Sequence, residues 1–299
     1  MKKASNSKNR DEISKLFPIM QEHFGQSMNL AHIKLMALLL EALFKAQTVS
    51  LVRLANAMHT AVDKESNMRR LQRFLACSVL DLDLIARMIF SLLPVSSGLV
   101  LTMDRTNWKY GQTDINILML GVTYKNVAFP LLFPLLSKRG NSNTAERIEI
   151  IKRFIRLFGK DCTDCLVADR EFVGEHWTGD LNASSIRYYL RIRQNFWLQK
   201  PGSCKYIKAS WLFNDLKLGE QRFLHKLYLL KGEYIYLTGA KLKNSDDVPE
   251  LQILICYNRP QQAVDTYKLR IVIKKMALQR QISGRVIPSY ELLSPSSVP

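Results

Sequence analysis

Two rhythms divide this chain. From about Met20 to Leu93 apolar residues recur every three or four positions, and "LAHIKLMALLLEALFKA" does so with no Gly or Pro inside, which predicts a helix. "TVSLVRLANAM" predicts a second, with Thr48 or Ser50 as N-cap. "ESNMRRLQRFLA" predicts another and brings Arg69, Arg70 and Arg73 close together. Two short helices with a basic second member fit a helix-turn-helix. A plain helical bundle with a solvated basic face fits equally well, and the pattern leaves both open.

From Pro94 the rhythm shortens to apolar runs bounded by turn residues. "SSGLVLTMD" predicts a short buried strand ending in an acid, and "INILMLGVTY" and "VAFPLLFPLL" two more, joined at Lys125-Asn126. "NSNTAERIEIIKRFIRLFG" predicts a helix with Asn143 and Glu146 as a capping box and Gly159 at its end. "CLVAD" is a strand that again ends in an acid, "VGEHWTGDLNAS" a helix or turn, and "IRYYLRIR" a strand. The order β-β-β-α-β-α-β predicts an α/β fold with a mixed sheet. Residues 196–258 are β-rich, with "FLHKLYLL" and "EYIYLTGA" flanking Lys231-Gly232. A helix follows from near Pro260. The expected divisions are an all-helical region at 1–93, a core at 94–195, a β-rich insertion at 196–258, a remnant of the last core helix at 259–281 and a disordered tail at 282–299.

Charge narrows the partner. Forty-three Lys and Arg against 26 Asp and Glu leave +17 over 299 residues, which points to a polyanion such as nucleic acid. A merely basic soluble protein is the bland alternative. Five cysteines do not suggest a disulfide framework, and Cys162-x-x-Cys165 lacks a second pair at zinc spacing, so packing is the expected role of Cys165. No apolar segment follows the basic N-terminus as in a signal peptide, and no run is long enough to span a bilayer, so a cytoplasmic, nucleoid-associated protein is expected. The five histidines show no ligand spacing; no Gly-rich phosphate loop or G-x-S-x-G occurs.

The chemistry-bearing candidates are Asp104 and Asp169, 65 positions apart, each predicted at the end of an apolar strand. Strand ends are where α/β sheets present functional groups. Carboxylates from neighbouring strands can hold divalent ions, and hard oxygen ligands select Mg2+ or Mn2+ over zinc. An aspartate that simply starts a turn is the competing reading.

The local sequences add to this. "MDRTNW" (103–108), "NSNTAERIEIIKRFI" (141–155) and "ADREF" (168–172) strongly resemble the DDE transposases of bacterial insertion sequences, specifically the insertion sequence 4 family, over about Leu99 to Arg270. The resemblance implies a ribonuclease-H-like core interrupted by the β-rich insertion, with Asp104 and Asp169 as the first and second catalytic acids and as Mg2+ (or Mn2+) ligands. It implies hydrolysis of one strand at each transposon end, followed by attack of the freed 3′-hydroxyl. The expected partners are terminal inverted repeats and target DNA, bound by a homodimer. The family's third acid belongs to a signature Y-x2-R-x3-E-x6-K. Tyr267 and Arg270 match it, whereas Lys274 stands at the glutamate position and Gln281 at the closing lysine. Substitution and a shifted reading frame both explain this, and the abrupt end of the resemblance after Arg270 favours the shifted frame. A catalytically dead, end-binding remnant that inhibits transposition is the alternative function.

Supporting roles complete the expectation. Arg105, Asn107 and Arg170 flank the acids and are placed to contact phosphate or orient carboxylates. Glu171 would point to the opposite face if its strand continues. Arg191 and Arg193 alternate on one strand and are candidates, with Tyr267 and Arg270, for the DNA backbone. Trp211 has two readings, stacking on a flipped base or, more commonly for a lone tryptophan in a β region, core packing.

Overall fold

The computed structural model describes residues 16–270 apart from Ser78, Val79, Gly111, Asn126 and Ser245. The chain divides into two compact units, Met1–Leu93 and Pro94–Pro299.

The first unit is helical: α1 (16–24), α2 (Leu30–Ala46), α3 (Leu51–Ala57), α4 (Lys64–Cys77) and α5 (Leu82–Ser91). Its core gathers Met20, Phe24, Ile33, Met36, Leu54, Leu71 and Phe74, drawn from four helices that each have one apolar stripe. The Asn29 side chain caps α2 by accepting the His32 N–H at 2.9 Å, and Asp81 caps α5. At α3 the expected N-cap Ser50 makes no side-chain cap; its own N–H donates to Thr48 Oγ1 at 3.2 Å. Buried Asn67 on α4 donates to Thr60 Oγ1 at 2.7 Å, which fixes the turn between α3 and α4. No single helix among the described residues is long and apolar enough to cross a membrane.

The second unit is built on a sheet ordered β3-β2-β1-β5-β6-β12-β11-β10-β7-β8, with β4 beside β2 and β9 beside β11. Strands β1 (Leu99–Tyr110), β2 (Thr113–Tyr124) and β3 (Val127–Leu132) form an antiparallel meander. Strands β5 (Thr163–Ala168) and β6 (Tyr188–Ile192) run parallel to β1. Helix α6 (Thr144–Phe158) leads from the short β4 (Leu135–Leu136) into β5, and α7 (Glu175–Ala183) carries the chain from β5 to β6. In α6 the Asn143 side chain takes the Glu146 N–H while Glu146 returns to the Asn143 N–H, completing the capping box. Residues 165–168 of β5 are all buried, as expected of a parallel strand covered on both faces.

Two expectations change here. β1 does not end at Asp104. It continues to Tyr110, because its second half pairs with β2 in a long hairpin after its neighbour β5 has stopped. The β-rich segment also does not stand apart: β12 (Pro249–Cys256) pairs with β6 and β11 (Glu233–Lys243) with β12, so the core sheet runs on into it. The strand expected over "FLHKLYLL" is split into β9 (Gln221–Phe223) and β10 (Tyr228–Leu230). Strands β7 (Trp197–Gln199) and β8 (Tyr206–Lys208) complete the sheet. Lys231 and Gly232 form the two-residue turn between β10 and β11, both at positive φ (49° and 89°), the geometry that matches strand twist. After the turn Pro260–Gln262, helix α8 begins at 263 and is described to 270. Its Ala263, Val264 and Tyr267 pack on Cys165, Val167, Tyr189, Leu254 and Cys256, covering one face of the sheet.

Candidate active site

The last rung between β1 and β5 pairs Met103 with Ala168. Asp104 and Asp169 each come one residue later, so the two carboxylates emerge side by side where the parallel pairing stops. Each is oriented locally in the same way: Asp104 Oδ1 accepts the Arg105 N–H at 2.9 Å, and Asp169 Oδ1 accepts the Arg170 N–H at 2.8 Å. Both converge on one guanidinium nitrogen. Arg270 Nη2 lies 3.5 Å from Asp104 Oδ1 and 3.2 Å from Asp169 Oδ2.

Helix α8 supplies this cation. With 3.6 residues per turn, Tyr267 and Arg270 share the face turned to the sheet. The Tyr267 hydroxyl donates to Asp169 Oδ1 at 3.4 Å and accepts from Arg270 Nη1 at 3.5 Å. Both residues are buried, at 3% and 5% exposure, and engaged with the acids. Burial opposes the Arg270 charge, but Tyr267, Asp169 and Asp104 outweigh it and hold its pKa above the ordinary value. Burial pushes the Tyr267 hydroxyl up to about 12.

A second set of contacts supports the acids from the other side. Arg105 Nη2 donates to Glu171 Oε2 at 3.2 Å and to Asn141 Oδ1 at 3.0 Å, and its Nη1 donates to Asn116 Oδ1 at 3.4 Å. Asn116, on β2 and 1% exposed, donates in turn to the carbonyls of Lys138 and Gly140 at 3.0 and 2.9 Å. Arg105 is thus engaged within the protein. Glu171 does not continue a strand, since β5 ends at Ala168; it sits in the following turn and ties that turn to β1. Arg147 on α6 is buried over the Phe172 ring and donates to Ser142 Oγ at 2.9 Å, clamping the start of α6 against the same turn. Burial lowers its pKa, against the neighbouring Glu171 and Glu146. Asn116, Asn141 and Arg147 are absent from the sequence-based candidates. Polarity inside an apolar strand marks Asn116 and burial within a helix sets Arg147 apart, whereas Asn141 lies in the polar loop before α6, where no local signal marks it.

Other candidates fall elsewhere. Arg170 and Asn107 are exposed beside the acids. Arg191 forms an ion pair with Glu250, while Arg193 lies beyond the end of β6 and is exposed, so the two do not form one strand-face pair. In the helical unit Arg69 and Arg73 are exposed one turn apart, and Arg70 turns to Asn67 Oδ1 at 3.5 Å. Trp211 is not core. It is 56% exposed and meets Trp197, itself 51% exposed, edge-to-face at 5.9 Å, with Lys208 Nζ within 5.6 Å of both rings. Cys165 is fully buried, and burial raises its thiol pKa far above the usual range. Lys274, Gln281 and the tail lie outside the described residues.

Among the described residues no three acidic, histidine or cysteine side chains gather as a metal site. Asp104 and Asp169 still suit one hard cation as a two-carboxylate pair, because Mg2+ commonly takes one or two carboxylates and fills its shell with water and substrate phosphate. The point they share already holds positive charge.

No family model matches this chain, and no curated protein does. Similar solved structures include the piggyBac transposase synaptic complex with hairpin DNA (12% identity, TM-score 0.43, 90% of this chain and 65% of that one). Endonuclease V from Bacillus subtilis is another (11%, TM-score 0.33, 69% of this chain and 92% of that one). A third is Argonaute from Marinitoga piezophila in complex with guide RNA (10%, TM-score 0.30, 74% and 35%). With TM-scores below 0.5, these likenesses assign the chain neither a family nor an activity.

Proposed function

We propose that this chain is a DDE-type transposase of the insertion sequence 4 family, with a ribonuclease-H-like core that cleaves and transfers DNA strands at the ends of a mobile element. The observation that carries the reading is the convergence of Asp104 and Asp169 one residue past the Met103–Ala168 rung, with Tyr267 and Arg270 of α8 set against them. Strand order supports it too: three antiparallel strands followed by two parallel to the first is the order of a ribonuclease-H-like sheet.

In this reading Asp104 and Asp169 would hold Mg2+ or Mn2+, which would supply charge neutralisation and activation of a water or 3′-hydroxyl for attack on a phosphodiester. The chain's own residues do the positioning. Arg105 and Glu171 fix the turn carrying Asp169 to the strand carrying Asp104. Tyr267 orients the Asp169 carboxylate from the opposite side. The exposed Arg170 and Arg193, and the half-buried Lys208 with its two exposed tryptophans, offer charge and stacking surface for a DNA strand. DNA ends bound by a homodimer, and a cytoplasmic setting, belong to the same proposal.

The second reading is an end-binding protein without catalysis. It is favoured by the cation already seated on the acids and by Lys274 at the position the family gives to its third acid. One experiment separates the two. Duplex DNA carrying the element's ends is incubated with the full chain and Mg2+ or Mn2+. Nicking at the ends that disappears in Asp104→Asn and Asp169→Asn marks the enzyme, whereas a specific shift in mobility without nicking marks the binder.

A further inference from the structure

We propose that Arg270 is a built-in counter-ion of the acid pair and that a divalent cation enters this site by exchange with its guanidinium. The inference rests on the reading of Asp104 and Asp169 as metal ligands and adds what controls their occupation.

Position is the first reason. Nη2 lies 3.2 Å from Asp169 and 3.5 Å from Asp104, at the point where the two carboxylates converge. A cation bridging these oxygens would meet that nitrogen at close range, so the two positive charges exclude each other. Burial makes the exclusion strong: the Arg270 side chain is 6% exposed and that of Asp169 15%, so solvent screens little of the repulsion.

Fit is the second reason. The guanidinium is held by several long contacts rather than by a two-pronged short one. Its bond to Tyr267 is 3.5 Å, and its buried Nε has no hydrogen-bond partner among the described residues. A good arginine–carboxylate pair uses two parallel bonds at about 2.7–2.9 Å. Arg270 therefore neutralises the acids without being locked onto them, as an exchangeable occupant should. With no metal bound, two carboxylates on one point would repel; the arginine removes that penalty and keeps them aimed inward. The protein thus keeps its acids aligned without metal, and the affinity for metal is reduced by the work of moving Arg270 aside.

The test is Mn2+ binding to the full chain by calorimetry, with free Mn2+ followed by electron paramagnetic resonance. The forms compared are the unaltered chain, Asp104→Asn, Arg270→Gln, Arg270→Lys and Asp104→Asn/Arg270→Gln. Arg270→Gln is expected to bind Mn2+ about tenfold tighter or more, the scale on which an adjacent guanidinium shifts a carboxylate's proton affinity. Arg270→Lys, which keeps the charge on a shorter and more strongly hydrated side chain, is expected between the two and decides the matter if Arg270→Gln does not fold. The double variant is expected to lose the added affinity. Equal or weaker binding in both Arg270 variants, with binding in the unaltered chain that Asp104→Asn abolishes, overturns the exchange while leaving the metal reading intact. Absence of Asp104-dependent binding in every form overturns both.

Discussion

Replacing Asp169 by Asn should destabilise the metal-free protein, and the sign is informative. In a site made of two carboxylates alone, removing one charge relieves repulsion and raises stability. Here Asp169 is the nearer partner of a guanidinium that is 5% exposed. Removing one partner of a buried ion pair costs about 3–5 kcal/mol, because the other charge is left uncompensated. Asp104 remains at 3.5 Å, and an asparagine oxygen can still accept a hydrogen bond, so the expected loss is smaller, about 2 kcal/mol. All four tryptophans (Trp108, Trp177, Trp197 and Trp211) belong to the second unit, so their fluorescence follows its unfolding without a contribution from the helical unit. With a urea slope of about 2 kcal/mol/M, the midpoint in EDTA should fall by roughly 1 M. Asp104→Asn should fall less, since its contact is longer and its side chain more exposed, at 22%. Adding Arg270→Gln to Asp169→Asn should recover part of the loss. An unchanged or higher midpoint for Asp169→Asn would refute the argument, because it would mean that Arg270 does not neutralise the pair.

Gly239→Ala on β11 should cost about 1–3 kcal/mol, because a Cβ there collides with the buried Phe213 ring; pairing it with Phe213→Leu should restore part of the urea midpoint, and no loss in the single variant would contradict the packing. Tyr267 has its pKa raised from 10.0 to about 12, mainly by burial, so its contribution to stability is present below about pH 10 and is lost as pH rises toward 12. Tyr267→Phe should shrink the alkaline drop in stability by up to about 2–3 kcal/mol, read from urea midpoints across that window, and an unchanged drop would count against this assignment. Replacing Arg69 and Arg73 with Ala should lower the salt slope of DNA binding by about two units, with little further effect from Arg70, which faces Asn67; an unchanged slope would make α4 a structural helix.

Local signals carried the elements. The 3.6-residue stripe of α2, the capping box of α6 and the apolar runs of β5 and β6 express preferences that a few neighbouring residues set among themselves, so they are legible without the fold. The same signals mark Asp104 and Asp169 as acids following apolar runs, but not what surrounds them. β1 reads as ending at Asp104 because its second half loses the buried pattern, and only the distant partner β2 carries it on to Tyr110. Trp211 reads as core because its segment is too short for a period to show a face; the fold leaves it exposed beside Trp197. The meeting of Asp104, Asp169 and Arg270 depends on contacts between residues 65 to 166 positions apart, through a parallel pairing and a helix laid on the sheet. No local preference encodes such a distance. Sequence determined which residues could hold charge at this site, whereas tertiary structure decided that a guanidinium sits between the two acids, because burial and strand register set which charges must neutralise one another.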